Sequence, residues 1–312
     1  MVHKRIMKKE YPFKQISVEQ TNICNSKCSM CPREEFYEKP LLSMDMFLFQ
    51  KIVQDLHDNK LCKSINFGGM GDSSCDKFLI ERLKYCKEYT PNLKINLLSN
   101  MFSWKERFSN EIIENNLVED IRFSIFAIGE SSSLKIYKNK FQGQKAKKNI
   151  MYFLDKNRKH GNPIKTSLYT LLMDENKFEM DLIKDTYWDL VDEFEIWKPH
   201  NWGNIYNYRE VQKNKRRCFR IENFEVGIKS NGDVSACTMD INHHIKYGNL
   251  KEQTLEEIYN SEQYKKIRDL NRSGEIETID TCNNCSFLNS SESEQLIEYK
   301  ETDRRKKYKT VA

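Results

Sequence analysis

The sequence predicts an α/β fold: a partial (β/α)6 barrel of parallel strands, followed by a small C-terminal domain of a β-hairpin plus a helix. Three observations carry that expectation. Short β-rich runs alternate with longer helical patterns as far as Trp197, the pattern changes abruptly after it, and cysteines gather first behind one strand and again near the C-terminus. Alternating strands and helices imply a parallel sheet with helices packed on its outer face. Six such units are too few for a closed eight-stranded barrel, so the sheet should remain open.

Strands are expected over 15–19, 64–68, 94–99, 121–127, 164–172 and 193–197, and helices over 44–59, 77–89, 105–115, 144–160 and 177–190. In the second helix Phe78, Leu79, Leu83 and Cys86 recur at helical intervals and form one apolar stripe. The barrel is assigned to residues 1–200, the C-terminal domain to 201–290, and a basic, flexible tail to 291–312, where Arg304, Arg305, Lys306, Lys307 and Lys309 cluster. Residues 224–237 read as a hairpin about Asn231-Gly232-Asp233. Thr254 and Glu257 make a capping box for a helix running to about Arg272 and stopped by Gly274. A segment of this size buries little surface alone, so a metal is expected to tie it together.

The chain has 312 residues, with 51 Lys and Arg against 46 Asp and Glu, a net charge of +5. The signs are mixed along the chain, so no nucleic-acid partner is expected, because phosphates need clustered cations. No apolar run reaches membrane-spanning length, and the N-terminus lacks a secretory pattern. A cytoplasmic location follows as the expectation. In that compartment thiols stay reduced, so the ten cysteines call for metal, catalysis or burial.

Cys24, Cys28 and Cys31 follow the first strand in the segment TNICNSKCSMCPR. Ligands in parallel α/β sheets sit at the C-terminal ends of the strands, which places three thiols at the binding mouth. Zinc prefers paired knuckles that close a tetrahedral site, whereas an iron–sulfur cubane is held by thiolates, normally four. Three on one loop leave one iron open to another ligand.

This CxxxCxxC, with Asn25 after the first cysteine, resembles the radical S-adenosylmethionine (SAM) superfamily. Phe67-Gly68-Gly69-Met70-Gly71-Asp72 looks like that family's glycine-rich motif, which meets the amino group of the methionine moiety; here Asp72 and Ser73 stand where Glu and often Pro are usual. Asn100 ends a strand similar to the one that closes in Asn-Gly in the family, and Ser124 occupies the position of a polar residue near the ribose. The resemblance implies a 4Fe-4S cluster on the triad, S-adenosyl-L-methionine on its open iron, and cofactor contacts from Gly68, Gly69, Met70, Gly71, Asp72, Asn100 and Ser124. It further implies one-electron cleavage to a 5′-deoxyadenosyl radical that abstracts hydrogen from a substrate. A reductant such as flavodoxin or ferredoxin would supply the electron.

Cys218, Cys237, Cys282 and Cys285 form the second group. Four thiols saturate one zinc or one cluster, and spacing alone does not separate the two. The run GDVSAC before Thr238, then Asp240, Gly248-Asn249-Leu250 and 254–259, resembles the SPASM/Twitch extension, which carries auxiliary 4Fe-4S clusters. The cysteine count implies one auxiliary cluster, saturated by four cysteines, that moves electrons. Four-cysteine saturation resembles a member of the family that oxidises an aminocyclitol hydroxyl.

The expected function is therefore a radical SAM oxidoreductase acting on a small polar substrate, a sugar, cyclitol or nucleotide-linked sugar, with the auxiliary cluster as electron acceptor. Cys75, Lys198 and His200 are the candidate catalytic residues: a Cys75 thiol would return hydrogen and make an epimerase, while Lys198, His200 or Asp240 would deprotonate a hydroxyl. His243 and His244 adjoin the second group as neighbours or solvated residues, and Trp197 and Trp202 are expected to pack between the barrel and the extension. A peptide-modifying maturase is the alternative, although the 14 residues before the first strand leave no room for a leader-recognition domain. A non-catalytic zinc or iron–sulfur binding module is the alternative from another class.

Overall fold

A computed structural model of the chain describes residues 12–302 other than 59, 211–216, 224 and 290–294; the basic cluster Arg304 to Lys309 lies outside the described residues. Six strands, β1 (Gln15–Val18), β2 (Ser64–Phe67), β3 (Lys94–Ser99), β4 (Asp120–Ser124), β5 (Lys165–Leu171) and β6 (Glu193–Trp197), run parallel in that order. The helices Met46–Asp58, Leu79–Tyr89, Glu106–Glu114, Gln142–Lys159 and Met180–Tyr187 lie in the five connections between them. The chain thus folds as the α/β partial barrel the sequence announces.

Register explains the packing. Ile16 pairs with Ile65, Ile65 with Ile95, Leu97 with Ile121, Phe123 with Leu168, and Leu168 with Phe194. All six positions of that ladder's core, Ile16, Ile65, Leu97, Phe123, Leu168 and Phe194, are fully buried. Side chains alternate across a strand, so the intervening residues face inward: Ser17, Asn66, Leu98, Arg122, Ser124, Tyr169 and Trp197 line one internal cavity. The lumen receives the polar side chains of the strands, Ser17, Asn66, Arg122 and Ser124, because the buried apolar half of each strand is directed to the helices.

Four details correct the sequence reading. First, β4 ends at Ser124 rather than at 127. The backbone N–H groups of Phe126 and Ala127 instead donate to Tyr137 Oη at 2.6 and 2.9 Å, and Tyr137 ends a helix, Glu130–Tyr137, that the apolar pattern did not announce. Second, the helix expected from Thr254 to about Arg272 is two, Leu255–Asn260 and Glu262–Ser273. Ser261 divides them by accepting from Tyr264 N, while the Thr254–Glu257 capping box and the left-handed Gly274 occur where expected.

Third, the C-terminal hairpin does not stand apart. Its strands β7 (Glu225–Ile228), β8 (Asp233–Ser235) and β9 (Lys246–Asn249) continue the barrel sheet, because β7 pairs in parallel with β1. Fourth, part of the expected flexible tail is ordered: β10 (Leu296–Glu301) pairs antiparallel with β6. A strand edge left bare invites foreign pairing, and β10 covers this one, held also by Lys184 Nζ to Glu298 at 2.8 Å. The ten-stranded order is β10-β6-β5-β4-β3-β2-β1-β7-β8-β9. No described helix is long and apolar enough to cross a membrane.

Candidate active site

The triad loop leaves β1 and is fixed by side chains from the whole mouth of the barrel. Asn22 Nδ2 donates to Tyr37 Oη at 2.8 Å and to Pro40 O at 2.9 Å, while its Oδ1 accepts from Leu42 N at 2.7 Å. Arg33 Nη2 donates to Ser26 O at 3.0 Å, and Trp202 Nε1 to Met30 O at 2.8 Å. Asn100 Nδ2 donates to Asn25 Oδ1 at 2.9 Å and lies 3.8 Å from Cys24 Sγ. Cys28 Sγ is 3.1 Å from Ser26 Oγ. Burial pushes all three thiols up, Cys28 to about 12, with Asp72 and Cys28 adding repulsion at Cys24 and Cys31 adding it at Cys28. Such thiols keep their protons until a metal displaces them.

The glycine loop after β2 is built for close approach. A Cβ on Gly69 would lie 2.4 Å from Glu19 Oε2, and one on Gly71 would lie 2.3 Å from Thr21 O. Glu19, itself buried, accepts from Met70 N at 2.8 Å. Asp72 is enclosed: Oδ2 accepts from Asn100 N at 2.6 Å, and Oδ1 from Ser74 N at 2.9 Å, Ser74 Oγ at 2.5 Å and Ser99 Oγ at 3.2 Å. Asp72 therefore clips the loop to the end of β3, and these four bonds rather than a ligand account for its carboxylate. Its pKa is raised by burial despite those donors. Asn25 Nδ2 is buried with no partner among the described residues, an orphaned donor beside the three thiols. Soft sulfur donors at an enclosed mouth, an orphaned amide and a glycine cradle fit a three-thiolate cluster and its amino-acid ligand.

Gly68, Gly69, Met70 and Ser124 line the lumen cavity, of about 400 Å³. Arg220, Met239 and Phe287 line it too and also border the space between the second group of cysteines. Cys218 precedes the short helix Phe219–Glu222 and is tied by its N–H to Asn271 Oδ1 at 2.7 Å; Cys237 follows β8; Cys282 lies in the turn of helix Asp280–Asn283 and Cys285 just beyond it. All four border one apolar cavity with Ala236 and Leu288. Burial and then Cys237 raise Cys218 to about 12 and Cys285 to about 11, and raise Cys282 as well. Among the described residues no three His, Cys, Asp or Glu side chains converge on a single ion. Four thiols around a shared apolar space supply the four thiolates that saturate one cluster, as they would one zinc.

The other candidates fare unequally. His200 lines the lumen, its ring 4.7 Å from Trp202 and 5.4 Å from Phe287. Burial first, then Arg209 and Arg220, lower its pKa to about 3, so it is neutral and a weak base. Lys198 is exposed and absent from the lumen lining; odd-numbered Trp197 takes the inward position, and the next residue must point away. Asp240 is buried and caps a turn through His244 N at 2.9 Å and Ile245 N at 2.7 Å. Cys75 does not line the lumen either; it lies by Asn25 and Asp72, with its thiol raised by burial to about 11. His243 Nδ1 pairs with Asp233 Oδ2 at 3.0 Å, and the His244 side chain is largely exposed. Trp197 and Trp202 both face the lumen.

Residues the sequence reading passed over complete the lumen. Arg122 on β4 pairs with Glu195 on β6 and lies 4.7 Å from the Tyr169 ring centroid. Trp197 Nε1 donates to Glu195 Oε2 at 2.9 Å. Glu225 stands at the start of β7 beside Gln15, and Phe287 closes the far wall. The signal for Arg122 was present: a charge alternating with Ile121 and Phe123 in a buried strand.

Comparisons with known proteins agree with this geometry. Residues 18–186 match the model of the radical SAM superfamily, and residues 218–286 match that of the SPASM iron–sulfur cluster-binding domain. The chain is 20% identical over 283 residues to the S-adenosyl-L-methionine-dependent 2-deoxy-scyllo-inosamine dehydrogenase of Niallia circulans, covering 91% of this chain and 96% of that one. Among solved structures, BtrN in complex with AdoMet and 2-DOIA superposes with a TM-score of 0.64 at 19% identity, over 90% of this chain and 94% of that one. Native anSMEcpe with bound AdoMet and Cp18Cys peptide gives 0.60 at 13% identity, over 88% and 87%.

Proposed function

From the premise that this chain belongs to the radical SAM superfamily and carries a SPASM domain, we propose that it dehydrogenates a hydroxyl-bearing carbon of a cyclitol or a related small polyol. Cys24, Cys28 and Cys31 hold the first 4Fe-4S cluster, and Cys218, Cys237, Cys282 and Cys285 the auxiliary one. Together with S-adenosylmethionine, the first cluster supplies abstraction of hydrogen from an unactivated C–H bond.

The observation that carries the reading is a single cavity that both regions border. Gly68, Gly69 and Met70 line it, and so do Met239 and Phe287, which also border the space between the four cysteines. A substrate held between them can lose a hydrogen atom from carbon on one side and an electron on the other. With its hydroxyl proton passed to a base or water, C–OH becomes C=O and the electrons balance. Gln15, Ser17, Asn66, Ser124, Tyr169 and Thr238 offer uncharged hydrogen-bonding groups around the space, which suits several hydroxyls on a compact ring. Leu98, Trp197 and Trp202 supply apolar walls that limit water.

We further place the reaction in the cytoplasm, with a flavodoxin or ferredoxin as reductant. The test is anaerobic reconstitution with iron and sulfide, then incubation with S-adenosylmethionine, dithionite and 2-deoxy-scyllo-inosamine or related cyclitols. Equal amounts of 5′-deoxyadenosine and ketone are expected. Substrate-independent cleavage alone across a cyclitol panel, with turnover on a peptide, would replace the polyol reading.

A further inference from the structure

Arg220 is the one charged side chain, among the described residues, that borders both the lumen and the space between the four C-terminal cysteines. Its position is tightly determined. It sits on the turn of helix that begins right after Cys218. Its guanidinium lies 4.9 Å from the Phe287 ring centroid and 5.4 Å from that of Phe219. Nη1 meets Glu225 Oε2 at 3.0 Å, and Nε is buried with no partner among the described residues. Glu225 borders the lumen but not the cysteine space. The pair is thus a fixed dipole, its positive end toward the cysteines and its negative end toward the substrate cavity.

We propose that Arg220 sets the reduction potential of the auxiliary cluster and so makes it an acceptor for the substrate's electron. The inference rests on the reading that the four cysteines hold a cluster. A cation in a poorly hydrated wall stabilises an added electron nearby, and charge and hydrogen bonding at such sites are among the levers that tune cluster potentials. The Phe219 and Phe287 rings lie against the guanidinium, whose side chain is only 23% exposed, so water screens its field in part. Glu225 opposes that field from the far side, which fixes the sign expected of each substitution. For the oxygen-bearing carbon radical to become a carbonyl, one electron would pass to the cluster that the four cysteines would hold, and the hydroxyl proton would pass to a base or water. Arg220 acts through the cluster, and is a positioning residue.

The experiment is an EPR-monitored redox titration of the reconstituted holoenzyme, with Arg220→Gln, Arg220→Lys and Glu225→Gln beside the unaltered protein. Arg220→Gln should disfavour the reduced auxiliary cluster by about tenfold, a fall of about 59 mV for a one-electron couple. Arg220→Lys should restore most of the potential, and Glu225→Gln should raise it. In Arg220→Gln, 5′-deoxyadenosine should accumulate beyond ketone, because hydrogen abstraction outruns electron removal. Unchanged potentials in Arg220→Gln and Glu225→Gln would overturn the inference. Should Arg220→Gln assemble no second cluster, the Glu225→Gln shift decides alone: a rise supports the inference and no change overturns it. Absence of a second cluster from the unaltered protein would instead defeat the ligand reading above.

Discussion

Gly71→Ala puts the mouth of the barrel under direct steric test. The new methyl would sit 2.3 Å from Thr21 O, 2.7 Å from Ile23 O and 2.8 Å from the Asn22 carbonyl carbon, all backbone atoms of the segment leading into the triad. Ordinary contact lies about an ångström further out, and backbone cannot rotate away as a side chain tip does. The segment is also pinned on its far side by the Asn22 bonds to Pro40 and Leu42. Overpacking of this kind costs about 1–3 kcal/mol, or a melting point lower by roughly 2–5 °C in a chain of this size. Because the displaced atoms precede Cys24 by only a few residues, the first cluster should assemble poorly. Gly68→Ala is the matched control: the nearest atoms to its methyl are those of the Leu98 side chain, at 3.3 Å and beyond. That variant should keep both clusters and fold normally, yet bind S-adenosylmethionine more weakly, because Gly68 borders the cavity. Iron and sulfide analysis, EPR with and without S-adenosylmethionine, and a thermal scan report all three quantities. Native iron content, cofactor response and melting point in Gly71→Ala would refute the steric argument.

Three other outcomes are expected. Cys24→Ala should abolish the EPR response to S-adenosylmethionine while leaving the auxiliary signal, whereas Cys282→Ala should do the reverse; each variant should hold about half the iron of the parent, if each site carries a 4Fe-4S cluster. Asp72→Asn aims an amide donor at N–H and O–H groups that now donate to a carboxylate, and should destabilise the fold by about 1–3 kcal/mol in denaturant titration. His200 is held neutral in the fold, with its pKa lowered from 6.5 to about 3. The unfolded chain takes up that proton below the ordinary value, so native stability is complete above it and declines on acidification at up to about 1.4 kcal/mol per pH unit. His200→Phe should flatten the stability profile between pH 7 and 5; an unchanged slope would show that other groups dominate there.

Local chemistry made much of this molecule readable. Strand–helix alternation gave the six parallel strands because each strand's outward half is apolar, as Ile65, Leu97 and Phe123 show. The first cysteine group was legible from its placement after a strand, and the second from residue type and number, since only Cys237 of that group follows a strand. What escaped depended on contacts far apart in the chain. β10 is a short, alternating, charged run whose partner β6 lies about a hundred residues earlier, so nothing nearby distinguishes it from a tail. The lumen residues were hidden for a related reason: Arg122 and Arg220, and Glu195 that pairs with Arg122, have meaning only once curvature turns their strands or turns toward one another. Lys198 misled because one step along an extended chain reverses the direction of a side chain. Ser261 divided the helix at a place the pattern did mark, because the apolar spacing jumps five residues from Tyr259 to Tyr264.

The parallel ladder between β1 and β7 has a consequence for catalysis. Gln15 to Val18 pair one for one with Glu225 to Ile228, and Glu19, just beyond, accepts from Met70 N and from Ser230 Oγ. The two sulfur-bearing regions are therefore measured off against one ruler of peptide hydrogen bonds, not hung from the connecting segment. Lengthening the loop between β6 and Cys218 should leave their separation, and with it the tunnelling distance, untouched; slipping β7 by a residue would change it and turn Glu225 away from the lumen.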